Sequence, residues 1–148
     1  MATFKWLAPE VIATALSTEL NALANGSFSN ASAAIANETD LFQFINLELA
    51  LSSLTPVAGQ MVAVYLLPTL DGTNYADGGG AVALPNENLI ATISLSTSTG
   101  AKRRVVNNIL IPPLGFKLVV GNLAITSGVA FGATGSTLKY RRHNGQSV

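Results

Sequence analysis

The residues best equipped for chemistry sit in one stretch, Asp71-Gly72-Thr73-Asn74-Tyr75-Ala76-Asp77-Gly78, where Asp71, Asn74 and Asp77 recur at three-residue spacing. Side-chain oxygens placed so closely are what a hard cation such as calcium takes. The alternating ligands and closing glutamate of an EF-hand are absent, however, and Asp, Asn and Gly are equally the residues of a long turn. Tyr75 offers a ring that could stack on a sugar, although a lone loop tyrosine more often packs on its own domain. Asp71, Asn74, Tyr75 and Asp77 are therefore read as an exposed loop, with glycan or calcium binding left open as alternatives. No metal or cofactor is expected.

Other constellations give less. A nucleophilic triad needs a base, and the only imidazole, His143, has no acid near it in sequence. The Gly132-Ala-Thr-Gly-Ser-Thr-Leu-Lys139 run does not place its lysine directly after the second glycine, as a phosphate loop requires. Two basic clusters, Lys102-Arg103-Arg104 and Lys139-Tyr140-Arg141-Arg142-His143, could meet phosphates. On strands, alternate residues point to opposite faces, so each cluster splits and neither forms a continuous stripe. We expect no nucleic-acid partner and no catalysis; Arg103, Arg104, Arg141 and Arg142 are read as residues of a protein interface.

The elements that must carry these residues are mostly strands. Ala2, Phe4 and Trp6 alternate with polar neighbours, a short strand-like opening. Pro9, then Leu16, Leu20, Leu23 and Ala24, ending at Asn25-Gly26, predict a short helix within 9–25. Residues 27–39, built of small side chains, fit a loop, an edge strand or a second short helix. From residue 40 the period is two: Leu41, Ile45, Leu47, Leu49 and Leu51 share one face, with Asn46, Glu48 and Ser52 opposite. Residues 61–67 are apolar on both faces and bounded by Gly59 and Pro68, the pattern of a central strand. A glycine-rich loop over 69–80 follows. Further strands are expected over 89–96, 104–111, 116–120, 124–131 and 137–142. Strands at roughly ten-residue intervals predict a mainly β, antiparallel, jelly-roll-like sandwich over 40–148, preceded by a 1–39 arm containing the helix.

Composition bounds what such a domain can do. With no cysteine there is neither disulfide nor thiolate metal site. Only 11% of residues are charged and 49% are hydrophobic, which leaves an outer surface poor in charge that tends to be covered by something. The charges divide: the first hundred residues hold one base and eight acids, and the last 48 hold seven bases and no acid. The division is satisfied either by pairing within the chain or by a polar protomer whose acidic face meets a neighbour's basic one. No apolar run approaches the ~20 residues that span a bilayer, so no membrane partner is expected. The opening lacks a basic head before a long apolar core, so no secretory signal is expected either, and synthesis in the cytoplasm is.

Several stretches, Leu16 to Gly26, Tyr65 to Tyr75, Leu84 to Ile90, Arg103 to Val106 with Pro112-Pro113 and Phe116-Lys117, and Ala133 to Asn144, resemble a family of small virion structural proteins encoded by tailed bacteriophages and prophages. The resemblance runs from residue 16 to nearly the end and carries no catalytic residue with it. It implies a virion protein, in first place a capsid decoration protein on the head surface. The expected partners are copies of itself and the major capsid protein, or a tail protein. On this expectation the arm lies across the partner and buries Phe4, Trp6, Leu16 and Leu20, while the sandwich bridges subunits. A tail or baseplate component and a carbohydrate-binding sandwich are the other readings.

Overall fold

The computed structural model describes residues 4–82, 84–125 and 127–147. Along these the chain forms β1 (Phe4–Trp6), β2 (Ala13–Leu16), β3 (Ser27–Phe28), β4 (Phe44–Leu54), β5 (Met61–Pro68), β6 (Leu89–Ser94), β7 (Gly100–Leu110), β8 (Phe116–Leu123), β9 (Thr137–His143) and β10 (Gly145–Ser147). Two four-stranded sheets run in the orders β2-β9-β4-β7 and β3-β8-β5-β6, and β1 pairs with β10 in a separate ribbon. Every pairing is antiparallel. Eight strands interleaved between two sheets in this order make a jelly roll.

Alternation decides which side chains meet between the sheets. Ile45, Leu47, Leu49 and Leu51 of β4 point inward with Leu16 of β2 and Leu138 of β9, opposite Val62, Val64 and Leu66 of β5 and Phe116, Leu118 and Val120 of β8. Each such side chain, fully removed from water, contributes roughly 1.5–3 kcal/mol. One end of this core is closed by a polar knot in which Gln60 Nε2 donates to Asn122 Oδ1 at 2.8 Å and to the Val129 carbonyl at 2.7 Å. Asn122 Nδ2 donates to the carbonyls of Leu23 and Val129, each at 2.9 Å. Both amides are buried, and their bonds satisfy loop backbone that no ladder reaches.

The expected helix over 9–25 does not form. Residues 13–16 are strand β2, Thr18–Leu20 is a single 3-10 turn, and Asn21 is already extended. The β-branched Val11, Ile12 and Thr14 suit a strand, and pairing with β9 (Ala13 opposite Tyr140, Leu16 opposite Leu138) outweighs the local propensity of the leucines. Leu16, Leu20 and Leu23 are buried together all the same, so their spacing marked a shared apolar surface and not a helix. Nor do residues 13–35 of the expected 1–39 arm stand apart from the sandwich: β2 is an edge of one sheet, β3 an edge of the other, and Ile35 joins the core. Among the described residues of 124–131, the expected strand does not form. There the backbone bonds to loops instead, Val129 N–H to Gln60 Oε1 at 3.2 Å and Phe131 N–H to the Leu23 carbonyl at 3.0 Å. Leu41, expected on the buried face, sits in a turn at φ 49° and is 54% exposed.

Residues 26–35 run along β8 as an irregular edge. The N–H groups of Ser29, Ser32 and Ile35 donate to the carbonyls of Val120, Leu118 and Phe116 at 2.8–2.9 Å. Three residues of this segment span two of β8, so the ladder's return bonds fall out of register. Hydroxyls replace them: Val120 N–H donates to Ser29 Oγ and Leu118 N–H to Ser32 Oγ, both at 3.0 Å. The small side chains of Ser29, Ala31, Ser32, Ala33 and Ala34 permit this close approach, and the sheet edge is sealed against outside strands.

Candidate interaction surface

The two sheets differ on their outer faces. On β5 the outward residues Ala63, Tyr65 and Leu67 are as buried as the core, packed with Val119 under Phe28, Ala31, Ala76 and Leu84. The cover is the chain itself, the 26–34 edge segment and the loop that carries Ala76 and Leu84. Gly80 N–H donates to the Ser29 carbonyl at 2.7 Å, and the Phe28 and Tyr65 rings meet edge to face with centroids 5.7 Å apart. Gly79, at φ 93°, lies so close that a Cβ there would stand 3.0 Å from the Ser29 carbonyl oxygen.

On β4 the outward residues Phe44, Asn46, Glu48 and Ala50 are only half-buried, and among the described residues no loop is packed over them. Around them lie Ile12 (60% exposed), Val105 (53%) and Leu110 (71%), with Leu7 at the rim. Register places them on this face: Val105 stands opposite Glu48, and Leu110 opposite Phe44, while Lys139 and Arg141 of β9 stand opposite Glu48 and Asn46. Two adjoining depressions of about 170 and 310 Å³ share Asn46, Asn107 and Arg141. A bulge at Asn107-Asn108, with Asn108 at φ 58° and its N–H bonded to Asn46 Oδ1 at 2.8 Å, bends β7 here. The Phe44 and His143 rings stack at 5.6 Å, and His143 Nε2 shares a 3.0 Å hydrogen bond with Asn108 Oδ1. Burial, then the Arg141 charge, pulls the His143 pKa below its ordinary value. Of the charges on this face, Arg103 bonds Glu48 through Nε at 2.9 Å, and Lys139 and Arg141 leave it basic.

The residues singled out from sequence are scattered by the fold. Arg103 is on the open face and Arg141 beside it, its Nε donating to the Glu10 carbonyl at 2.9 Å; Arg104 is exposed on edge strand β7. Leu16 and Leu20 are wholly in the core, so they have nothing to offer a partner. Phe4 and Trp6 lie on β1, but their side chains fall outside the described part. Arg142, expected at an interface, is a buried internal hub. It grips Glu10 with two bonds (Nε–Oε2 2.7 Å, Nη2–Oε1 2.6 Å), donates to the Ala36 carbonyl, lies 3.6 Å from Asp40 Oδ2 and stacks on Phe42. The Arg142 hydrogen bonds hold the Glu10 carboxyl below its ordinary pKa. Part of the charge division is thus settled inside the chain, by Glu10–Arg142 and Glu48–Arg103.

The 69–80 loop is exposed at Asp71, Asn74 and Asp77, as expected. Asp71 is engaged as its organiser: Oδ1 accepts from the Thr73 and Asn74 N–H groups at 2.8 and 2.7 Å, and Oδ2 from Asn74 Nδ2 at 2.7 Å. These donors, the Asn74 N–H foremost, hold its carboxyl far below the usual range. A cation would have to displace them, and no group of three or more metal-ligating acids, histidines or cysteines occurs among the described residues. Tyr75 is half-buried with the Lys117 ammonium 4.3 Å from its ring centre, so one face of the ring is already occupied.

Sequence reasoning missed the open face itself. Its only trace is apolar residues at outward positions, Val105 and Leu110 in β7 and Ile12 beyond β2, which register alone reveals. No protein-family model matches the chain, and no curated protein matches it.

Proposed function

We propose that this chain is a structural protein of a tailed-phage virion, acting through binding energy with no reaction catalysed, and in first place a decoration protein of the capsid. The observation that carries the reading is the contrast between the sheets. One outer face is sealed by the chain's own loops, while the other leaves Ile12, Val105 and Leu110 in water beside Lys139, Arg141 and Arg103. Exposed large apolar residues grouped on one rigid sheet and rimmed by charge mark a protein-binding surface. The sequence resemblance supplies the virion setting. The sheet face takes over the role expected of an arm, since Leu16 and Leu20 are internal.

Immunogold labelling of purified particles tests the setting. Label over the head supports decoration, label confined to the tail moves the protein to the tail or baseplate, and particles without label refute the proposal. Replacing Val105 and Leu110 by glutamate tests the surface: incorporation should fall at least tenfold while the variant still folds.

A further inference from the structure

The open sheet face carries Lys139, Arg141 and Arg103 against one acid, Glu48, with Ile12, Val105 and Leu110 exposed between them. The opposite side of the sandwich, the layer laid over β5 and β8, has the complementary character. Asp77 lines a depression there with Leu67 and Lys117, and Asp71 and Glu87 are exposed in the stretches that lead into and out of this layer. Leu89 (37% exposed) stands opposite outward Tyr65, and Leu70 (92%) and Val82 (52%) are exposed in the same stretch of chain. One molecule therefore presents a basic apolar surface and an acidic apolar surface on opposite faces, where they cannot meet each other.

We infer that the occupant of the open face is a second copy of this chain, docked head to tail: the β2-β9-β4-β7 face of one copy on the acidic 70–89 layer of the next. Two open faces meeting about a two-fold axis would bring together two surfaces that each carry Lys139, Arg141 and Arg103 against Glu48. Head-to-tail contact pairs opposite charges and leaves a free basic face at one end and a free acidic layer at the other. Such a contact propagates, closing into a ring only if successive rotations return to the start. The assembly rests on the structural reading above, because it names the partner of the same face.

The test uses the purified full-length chain, with mass followed by sedimentation against concentration and salt. The wild type should grow beyond the monomer in low salt and dissociate as salt rises. Two variants separate the surfaces: I12E/L110E cancels the open face's basic excess and puts charge where its apolar residues stood, and D77K/E87K makes the opposite layer basic. All four positions are exposed, and circular dichroism with a melting curve verifies that both variants fold. Each alone should associate at least tenfold more weakly than wild type. Mixed, they should pair one to one, since the untouched open face of D77K/E87K fits the untouched acidic layer of I12E/L110E. A wild type that stays monomeric at every concentration would overturn the inference, and so would a D77K/E87K variant that associates like wild type. If the wild type is monomeric yet I12E/L110E is excluded from particles, self-docking fails while the structural reading stands; if it self-associates but particles lack it, the virion setting fails.

Discussion

Strands β4 and β5 occupy corresponding central places in their sheets, and both bury every inward side chain; they part company on the outside. Outward from β5 stand Ala63, Tyr65 and Leu67, sealed beneath glycine-rich backbone. Outward from β4 stand Phe44, Asn46, Glu48 and Ala50, half in water. A sandwich needs only its inner faces covered to fold. The second layer over β5 is therefore an addition to the sandwich, and among the described residues the β4 face has no counterpart to it.

Substitutions on the two faces sharpen the contrast. Leu67→Ala, beneath the cover, should cost roughly 3 kcal/mol and lower the melting temperature by about 9 °C, read by calorimetry. Leu67 loses as much as a core leucine would if the cover is rigid; a loss under about 1 kcal/mol would mean that the layer is loose. Arg142→Ala should cost roughly 2 kcal/mol by denaturant titration, less than the 3–5 typical of breaking a fully buried pair, because the Glu10 side chain keeps 29% exposure. Arg103→Ala, on a side chain 74% exposed, should cost under about 1 kcal/mol.

Acid should act through the same hub. Because the folded state depresses the Glu10 pKa, the stability it adds is complete above its ordinary value of 4.5 and is lost as pH falls through the lower folded value. His143, also depressed, opposes its own protonation, so stability begins to fall below its ordinary 6.5. Melting temperature followed from pH 7 to 3 should therefore drop in two stages, and Glu10→Gln should shrink the second, leaving the part that the depressed Glu19, Glu38 and Asp71 carboxyls contribute. Smallest of all, Leu110→Ala on the open face should change folding by no more than about 0.5 kcal/mol, leaving its effect to binding alone.

Much of this was legible in the sequence. The period-two run from Ile45 to Leu51 and the doubly apolar 61–67 segment marked the central strands, and the latter's outward Tyr65 and Leu67 already required a cover. Leu16, Leu20 and Leu23 misled because three leucines at helical spacing also fit a strand followed by a tight turn. Which basic residue is buried was hidden by register: Arg141 and Arg142 are neighbours in sequence, yet one faces outward and the other meets Glu10 from more than a hundred residues away. The open face is a sum of single positions on three strands, invisible until pairing aligns Val105 with Glu48 and Leu110 with Phe44.

A density map of the intact particle, traced around this chain, tests the binding role of the bare sheet most directly. Ile12, Val105 and Leu110 should be buried against another subunit, with Lys139 and Arg141 facing its acids. A map with that sheet open to solvent, and the chain held in place through other surfaces, would contradict it.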